Sequence, residues 1–353
     1  MTNNQHPTTT RQPLAVNRPP SHRILVTGGA GFIGSNIAGA LLRLDNVELV
    51  RVLDNLATGH LKNLKEFEAN PKFEFVEGDI RDFSTCQKAC DGIDLITHQA
   101  ALGSVPRSIN DPVTTNSVNI DGTVNVFFAA KEAGINKVVY ACSSSTYGDS
   151  PYLPKREDVT GKPLSPYAVT KLVNELYADV FSRFYNINFI GLRYFNIFGP
   201  KQDPNGAYAA VIPLFIKAIL EESPPTINGD GLTSRDFTYV DNAVQANIKA
   251  LFTKKVAALN QVYNIATNER TTLLELFDYL KILTGSQMDP IHGPERLGDV
   301  KHSLADISKA MNYLEYVPEV KIKEGLRRTF EWYKSAIYKD FFRQEKSKEE
   351  VPL

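Results

Sequence analysis

Through the first half of the chain, short runs of aliphatic and β-branched residues alternate with stretches whose apolar positions recur at helical spacing. Arg23-Ile24-Leu25-Val26-Thr27 reads as a strand, Ser35 to Leu44 as a helix, and Leu49-Val50-Arg51-Val52-Leu53 as a second strand ending at Asp54. Strand, glycine-rich turn, helix and strand make a βαβ unit. Further strands are predicted at Phe73–Val76, at Leu95–Thr97, at Lys137–Ala141 running into Ser143-Ser144-Ser145, and at Asn188–Arg193. A long helix is predicted over 114–133. Another opens at Ser165-Pro166, with serine as N-cap and proline at the first helical position, and continues to about Phe184. Strands alternating with helices predict an α/β fold built on a doubly wound parallel sheet.

The second half breaks this rhythm. Gly199 to Asn205 is rich in proline, glycine and aspartate and marks a boundary. A helix is predicted over 209–220, a turn at Asn228-Gly229-Asp230-Gly231, a strand over Arg235–Asp241 and a helix over 243–252. Small alternating elements of this kind predict a second, smaller lobe interleaved with the sheet domain.

Composition narrows the class. Lys plus Arg is 39 against 40 Asp plus Glu, a net charge of -1, which disfavours a general nucleic-acid binder. Cys86, Cys90 and Cys142 are odd in number and lack redox or zinc spacing, so a reducing, cytoplasmic setting and no metal are expected. The best apolar run, 209–220, is interrupted by Pro213 and Lys217, so no membrane span is expected.

Gly28, Gly31 and Gly34 form G-x-x-G-x-x-G directly after a strand and at the start of a helix. Such a turn lets backbone approach a pyrophosphate, while the helix N-terminus offers free N–H groups and a positive dipole end. Asp54 closes the next strand, where a carboxylate accepts from the adenosine ribose 2′-OH and repels a 2′-phosphate. The expected cofactor is NAD, on a Rossmann-type sheet. Tyr167 and Lys171 lie four apart on one helix face. The cation is expected to favour the phenolate and lower the tyrosine pKa, which suits a general base that later acts as acid. The serines 143–145 end a strand of the same sheet, where ligands of open α/β sheets collect.

Taken together, T-G-G-A-G-F-I-G at 27–34, A-L-G-S-V-P-R-S at 101–108, S-S-S-T-Y-G-D at 143–149, L-S-P-Y-A-V-T-K at 164–171, L-R-Y-F-N at 192–196, Q-D-P-N-G-A-Y-A-A-V-I-P at 202–213, N-G-D-G-L-T-S-R-D-F at 228–237 and G-D-V-K-H-S at 298–303 resemble the extended short-chain dehydrogenases/reductases. Within them the chain is most similar to the UDP-sugar 4-epimerase group, and there to bacterial UDP-N-acetylglucosamine 4-epimerases of surface-polysaccharide precursor synthesis. The likeness runs over about 22–340.

The resemblance implies a catalytic set of Ser143, Tyr167 and Lys171, with Ser144 or Ser145 as alternatives to Ser143. It implies tightly bound NAD contacted by Gly28, Gly31, Phe32, Ile33, Gly34, Asp54, Asn55, Asp79, Ile80, Gln99, Ala100, Ala101, Asn119 and Tyr194. For the sugar nucleotide it implies Gly103, Ser104, Asn196, Ala210, Val211, Ile227, Asn228, Arg235, Arg296, Asp299 and Ser303. Ser303, five residues past Gly298, is expected to face the C2 substituent; the competing expectation makes it the N-cap region of a helix at Ala305-Asp306-Ile307. The implied reaction is inversion at C4 of a UDP-N-acetylhexosamine through a transient 4-keto sugar, with the N-acetylhexosaminuronic acid as alternative substrate. A 4,6-dehydratase is disfavoured because no acidic residue lies between Ser143 and Tyr147. The implied domains are 21–198 with returning segments at about 237–268 for NAD, and 199–236 with 269–340 for substrate. Flexible tails are expected at 1–20 and 341–353, and a homodimer paired through the helices at 114–133 and 166–184.

Overall fold

Seven strands form one parallel sheet: β1 (His22–Thr27), β2 (Val47–Asp54), β3 (Phe73–Glu77), β4 (Leu95–His98), β5 (Lys137–Ser143), β6 (Asn188–Tyr194) and β7 (Gln261–Ile265), in the order β7-β6-β5-β4-β1-β2-β3. The strand order reverses between β1 and β4, the switch point at which doubly wound sheets bind ligands. The computed structural model of the protein describes residues 21–206, 209–295 and 301–335. The expected tails, Arg296, Gly298 and Asp299 lie outside the described residues.

Alternate strand residues feed two cores, one on each face of the sheet. Ile24, Val26, Val50, Val52, Ile190 and Leu192 are buried with α1 (Phe32–Leu42) and α5 (Val240–Phe252). Leu25, Leu53, Ile96, Val138, Tyr140 and Phe189 are buried on the other face, with α2 (Phe83–Cys90), α3 (Gly122–Glu132) and α4 (Pro166–Phe184). Phe127 of α3 centres that second core, its ring 4.7 Å from that of Phe189 and edge-on to Tyr140 and Phe181. Truncating such a side chain to alanine typically costs about 3–5 kcal/mol.

Several elements differ from the sequence expectation. The helix expected over 114–133 is three pieces: Pro112–Asn116, a π turn at Ser117–Asp121, and α3. A Cβ on Gly122 would come within 2.6 Å of Ile80, so helix and loop touch here. The stretch 235–241 is not one strand. Ser234–Arg235 pairs antiparallel with Thr271–Thr272, and Thr238–Tyr239 pairs parallel with Ile197–Phe198. Asp236, between them, turns inward and is fully buried. Its carboxylate accepts from Thr267 N–H at 2.9 Å, Thr267 Oγ1 at 2.8 Å and Ala305 N–H at 3.2 Å, tying three segments together. Burial lifts its pKa to about 6. The segment at 305–307 is not helical either, since the helix begins at Ser308.

His98 at the end of β4 is the one fully enclosed imidazole among the described residues. Thr123 Oγ1 donates to Asn119 O at 2.6 Å, so His98 Nε2 carries the proton and donates to Thr123 Oγ1 at 3.0 Å. Nδ1 then accepts from Thr27 Oγ1 at 2.6 Å. Burial, with a smaller push from the Lys171 cation, holds the imidazole down at about 3. An unfolded histidine titrates near about 6.5. Between these values the unfolded chain binds a proton that the native chain does not, so stability falls as pH falls, by about 1.4 kcal/mol per unit. His98→Gln should remove this contribution. Denaturant unfolding of the two proteins from about pH 6 to about pH 4 should give a shallower fall for the variant, and parallel curves would show that His98 does not carry it.

Candidate active site

The nucleotide groove is built by backbone first. Gly28 takes φ +67°, and a Cβ there would lie 2.6 Å from Ala100 N. A Cβ on Gly34 would lie 2.2 Å from Gly28 O, so the first turn of α1 rests directly on the turn beneath it. Gly31 is the N-cap of α1 and no side chain caps it, which leaves the first-turn amides of Phe32 and Ile33 facing the groove. A cavity of about 590 Å³ follows, lined by this turn, by Asp54, Asn55, Asp79 and Ile80, by Gln99–Ser104 and by Ser143, Tyr167, Lys171 and Tyr194. A cradle that any Cβ would fill, opening on a helix N-terminus, fits the pyrophosphate of NAD.

Two cofactor expectations are modified. Asp54 lines the cavity, but its carboxylate already accepts from Ala30 N–H at 2.9 Å and Leu56 N–H at 2.8 Å, so it shapes the turns as well as presenting an anion. Asn119 is wholly buried and does not line the cavity. The π turn aims its carboxamide at the loop, where Leu102 N–H donates to it at 2.8 Å and it donates to Leu102 O at 3.1 Å and Thr170 Oγ1 at 3.1 Å. A residue missed by sequence reasoning is Arg81, which lines the groove and grips Asp79 at 2.6 Å. That pair, with Asn55 donating at 2.8 Å, holds the Asp79 carboxyl down at about 2. The run Gly78-Asp79-Ile80-Arg81 was its available signal.

At the end of β5 the three serines separate. Ser143 lines the cavity and hydrogen-bonds the Tyr167 phenol. Ser145 donates to Ser143 Oγ twice, from N–H at 3.1 Å and from Oγ at 2.9 Å. With both acceptor positions filled, Ser143 can meet the phenol only as a donor, so its proton points at the Tyr167 oxygen at the cavity wall. Neither Ser144 nor Ser145 lines it. Helix α4 starts where Ser165 Oγ accepts from Ala168 N–H at 3.2 Å, which sets the phase of Tyr167 and Lys171.

The electrostatics differ from the expectation. Lys171 is buried, its ammonium donates to Ala141 O at 2.9 Å, and burial lowers it to about 8. Tyr167 lies above the ordinary phenol value because of burial, offset in part by the Ser143 bond, and the lowering comes from that bond rather than from Lys171.

A second cavity of about 510 Å³ adjoins, and Asn196 and Ile197 line both. Ala210, Val211, Asn228 and Arg235 line it as expected, joined by Glu295, Lys301 and His302. Ile227 is fully buried and Ser303 lines neither cavity. Ser303 Oγ instead accepts from Asp236 N–H at 3.4 Å, one residue beyond His302.

A Rossmann-type sheet, a dinucleotide groove and a Ser–Tyr–Lys set at its mouth define an enzyme of the short-chain dehydrogenase/reductase type. Residues 24–266 match the NAD dependent epimerase/dehydratase family. The chain is 37% identical over 315 residues to the UDP-glucose 4-epimerase of Mycolicibacterium smegmatis, covering 89% of this chain and 99% of that one. Among solved structures it resembles the UDP-N-acetylglucosamine 4-epimerase of Methanobrevibacter ruminantium in complex with UDP-N-acetylmuramic acid. That match has a TM-score of 0.84 and 40% identity over 90% of this chain and 99% of the other. It also resembles the UDP-glucuronic acid 4-epimerase of Bacillus cereus with UDP-glucuronic acid and NAD, with a TM-score of 0.82 and 34% identity over 88% and 99%. The chain belongs to the NAD dependent epimerase/dehydratase family and is an NAD-dependent enzyme.

Proposed function

We propose that the protein is a UDP-sugar 4-epimerase that interconverts UDP-N-acetylglucosamine and UDP-N-acetylgalactosamine, as a precursor step of surface-polysaccharide synthesis. The observation that carries this is the junction at Asn196, where the cavity that suits a UDP group opens onto Ser143, Tyr167 and Lys171. NAD supplies the two-electron acceptor and donor that take C4 through a ketone and back. Tyr167 takes the 4-OH proton as the carbonyl forms and returns it when C4 is reduced. Ser143, kept a donor by the two bonds from Ser145, would turn its proton from the phenol to the same substrate oxygen when the sugar binds. Lys171, its ammonium held by Ala141 O in the cavity wall, would bind and orient the nicotinamide ribose. Arg235, Asn196 and the uracil-side residues Ala210, Val211 and Asn228 hold the UDP, so the 4-keto sugar can turn about its diphosphate linkage and be reduced on its other face. Only Ser144, Ser145 and Thr146 lie between Ser143 and Tyr147, so this stretch supplies no acid for water elimination.

Tyr167→Phe keeps the ring and removes the ionisable oxygen. Turnover of UDP-N-acetylglucosamine, assayed without added NAD, should fall by at least ~10²–10⁴-fold with substrate binding retained. Wild-type-like turnover in this variant would remove Tyr167 from the mechanism.

For the choice of sugar, the small side chain at 303 sits on an extended segment next to the cavity residues Lys301 and His302. Ser303 itself lines neither cavity, so an acetamido site beside it rests on the resemblance and on the small size of its side chain. Ser303→Tyr should cost turnover of the N-acetyl pair by steric exclusion and spare UDP-glucose and UDP-galactose, measured as kcat/KM on both pairs. Equal losses on both would assign Ser303 to the Asp236 scaffold, and activity confined to the uronic acid would replace the proposed substrate.

A homodimer and a cytoplasmic site are part of the same proposal. Val169, Leu176, Val180 and Phe184 expose 45%, 58%, 40% and 74% of their surface along one side of α4, beside Val113 at 78%. An apolar stripe of this kind suits a second copy of the chain packed helix on helix. Sedimentation should give twice the chain mass, and Leu176→Glu should halve it. The three cysteines are unpaired and buried, which suits a reducing compartment, and no described helix is long and apolar enough to cross a membrane.

A further inference from the structure

Behind the cavity wall lies a closed polar ring that the mechanism above does not use. Gln99 follows β4, Tyr194 ends β6, Thr97 is on β4 and Asn247 is on α5. Gln99 Nε2 donates to Thr97 Oγ1 at 2.8 Å and to Asn247 Oδ1 at 3.1 Å. Thr97 Oγ1 donates to Asn247 Oδ1 at 3.0 Å. Asn247 Nδ2 donates to Tyr194 OH at 2.7 Å and to Ala243 O at 2.8 Å. Tyr194 OH donates to Gln99 Oε1 at 3.0 Å and closes the ring.

The proton count fixes the direction of every bond. Both N–H groups of Gln99 and both of Asn247 are spent, and Asn247 Oδ1 has two donors. Tyr194 therefore has one place for its proton, and the phenol cannot rotate it elsewhere without leaving a buried acceptor empty. Thr97 and Asn247 are fully enclosed, while Gln99 and Tyr194 also line the cofactor cavity. Burial raises the Tyr194 phenol well above its ordinary value, which keeps it neutral and its proton committed. Of the two tyrosines at the site, Tyr167 alone has a proton that can be exchanged with substrate.

We propose that Gln99 is a positioning residue for the redox step, acting through Tyr194: its amide locks the Tyr194 phenol and ring as one rigid wall of the nicotinamide end of the cavity. The inference rests on the reading of the site as a UDP-sugar 4-epimerase with its nicotinamide beside Tyr194. Gln99 was expected to touch the cofactor, and here its donors all point away, into the ring.

Gln99→Met keeps the length of the side chain and removes its amide. Tyr194→Phe cuts the same link from the other end without touching Gln99. Each purified holoenzyme is assayed for kcat and KM, for NAD retained after gel filtration, and for the rate at which reduced-cofactor absorbance appears when UDP-N-acetylglucosamine is added. Each single variant should slow that absorbance change and kcat at least about tenfold while KM changes less than about twofold. The double variant should be no slower than the slower single one, because the two act as a unit. Wild-type rates in either folded single variant, or effects that multiply in the double variant, would overturn the proposal. A wild-type enzyme that turns over no UDP-sugar would instead overturn the functional reading on which it rests.

Discussion

The floor of this site is polar and buried, and the rest of the structure answers to that. Buried polar groups cost several kcal/mol when left unpaired, so a fold that places Thr27, Thr97, His98, Asn119, Lys171 and Asn247 under a ligand cavity has to pair them all. It does so by linking elements distant in the chain. Thr27 and His98 join β1 to β4, Asn119 joins the loop after β4 to α4, and Asn247 joins α5 to Tyr194. The cavity walls are held by these bonds as much as by the apolar cores on either side of the sheet. A change in one wall is then felt in another, because no member has a spare partner.

Burial also sets the chemistry. It lowers Lys171, whose ammonium keeps one carbonyl as partner, to about 8, and it raises Tyr167 above the ordinary phenol value. Hydroxyls or negative charge brought next to Lys171 would favour its charged form. The base strength of Tyr167 depends on what lies against its oxygen, and among the protein's own groups that is Ser143.

Much of this was legible in the sequence because it rests on local rules. The β1 turn shows itself through three glycines, one of which has to sit against a carbonyl. The start of α4 shows itself through Ser165-Pro166, and the strand ends through Asp54 and Ser143. What escaped depends on distance in the chain. Nothing local in Ser117–Asp121 announces a π turn, since its cause is the loop at Leu102 and Ile80 against Gly122. The split of 235–241 comes from Asp236 reaching Thr267 and Ala305. The Lys171 effect on Tyr167 was inferred from helix phase alone, which gives a shared face but not the carbonyl that holds the ammonium. That Ser143 faces the cavity while Ser144 and Ser145 do not comes from the turn of the chain after β5, which motif spacing does not encode.

The π turn also constrains how this chain can vary in length. An α-helix turns by about 100° per residue, and a π turn takes up one extra residue while leaving the helices on either side in phase. Removing one residue within Ser117–Asp121 would let the turn close as regular helix and keep Val126, Phe127 and Ala130 on the sheet, whereas the same cut inside α3 would swing every residue beyond it by that angle. The cost of closing the turn would fall on Asn119 and its bonds to Leu102. The turn thus works like a slack link in a chain: it can lose a residue without moving the core, but only by letting go of the loop of the nucleotide groove.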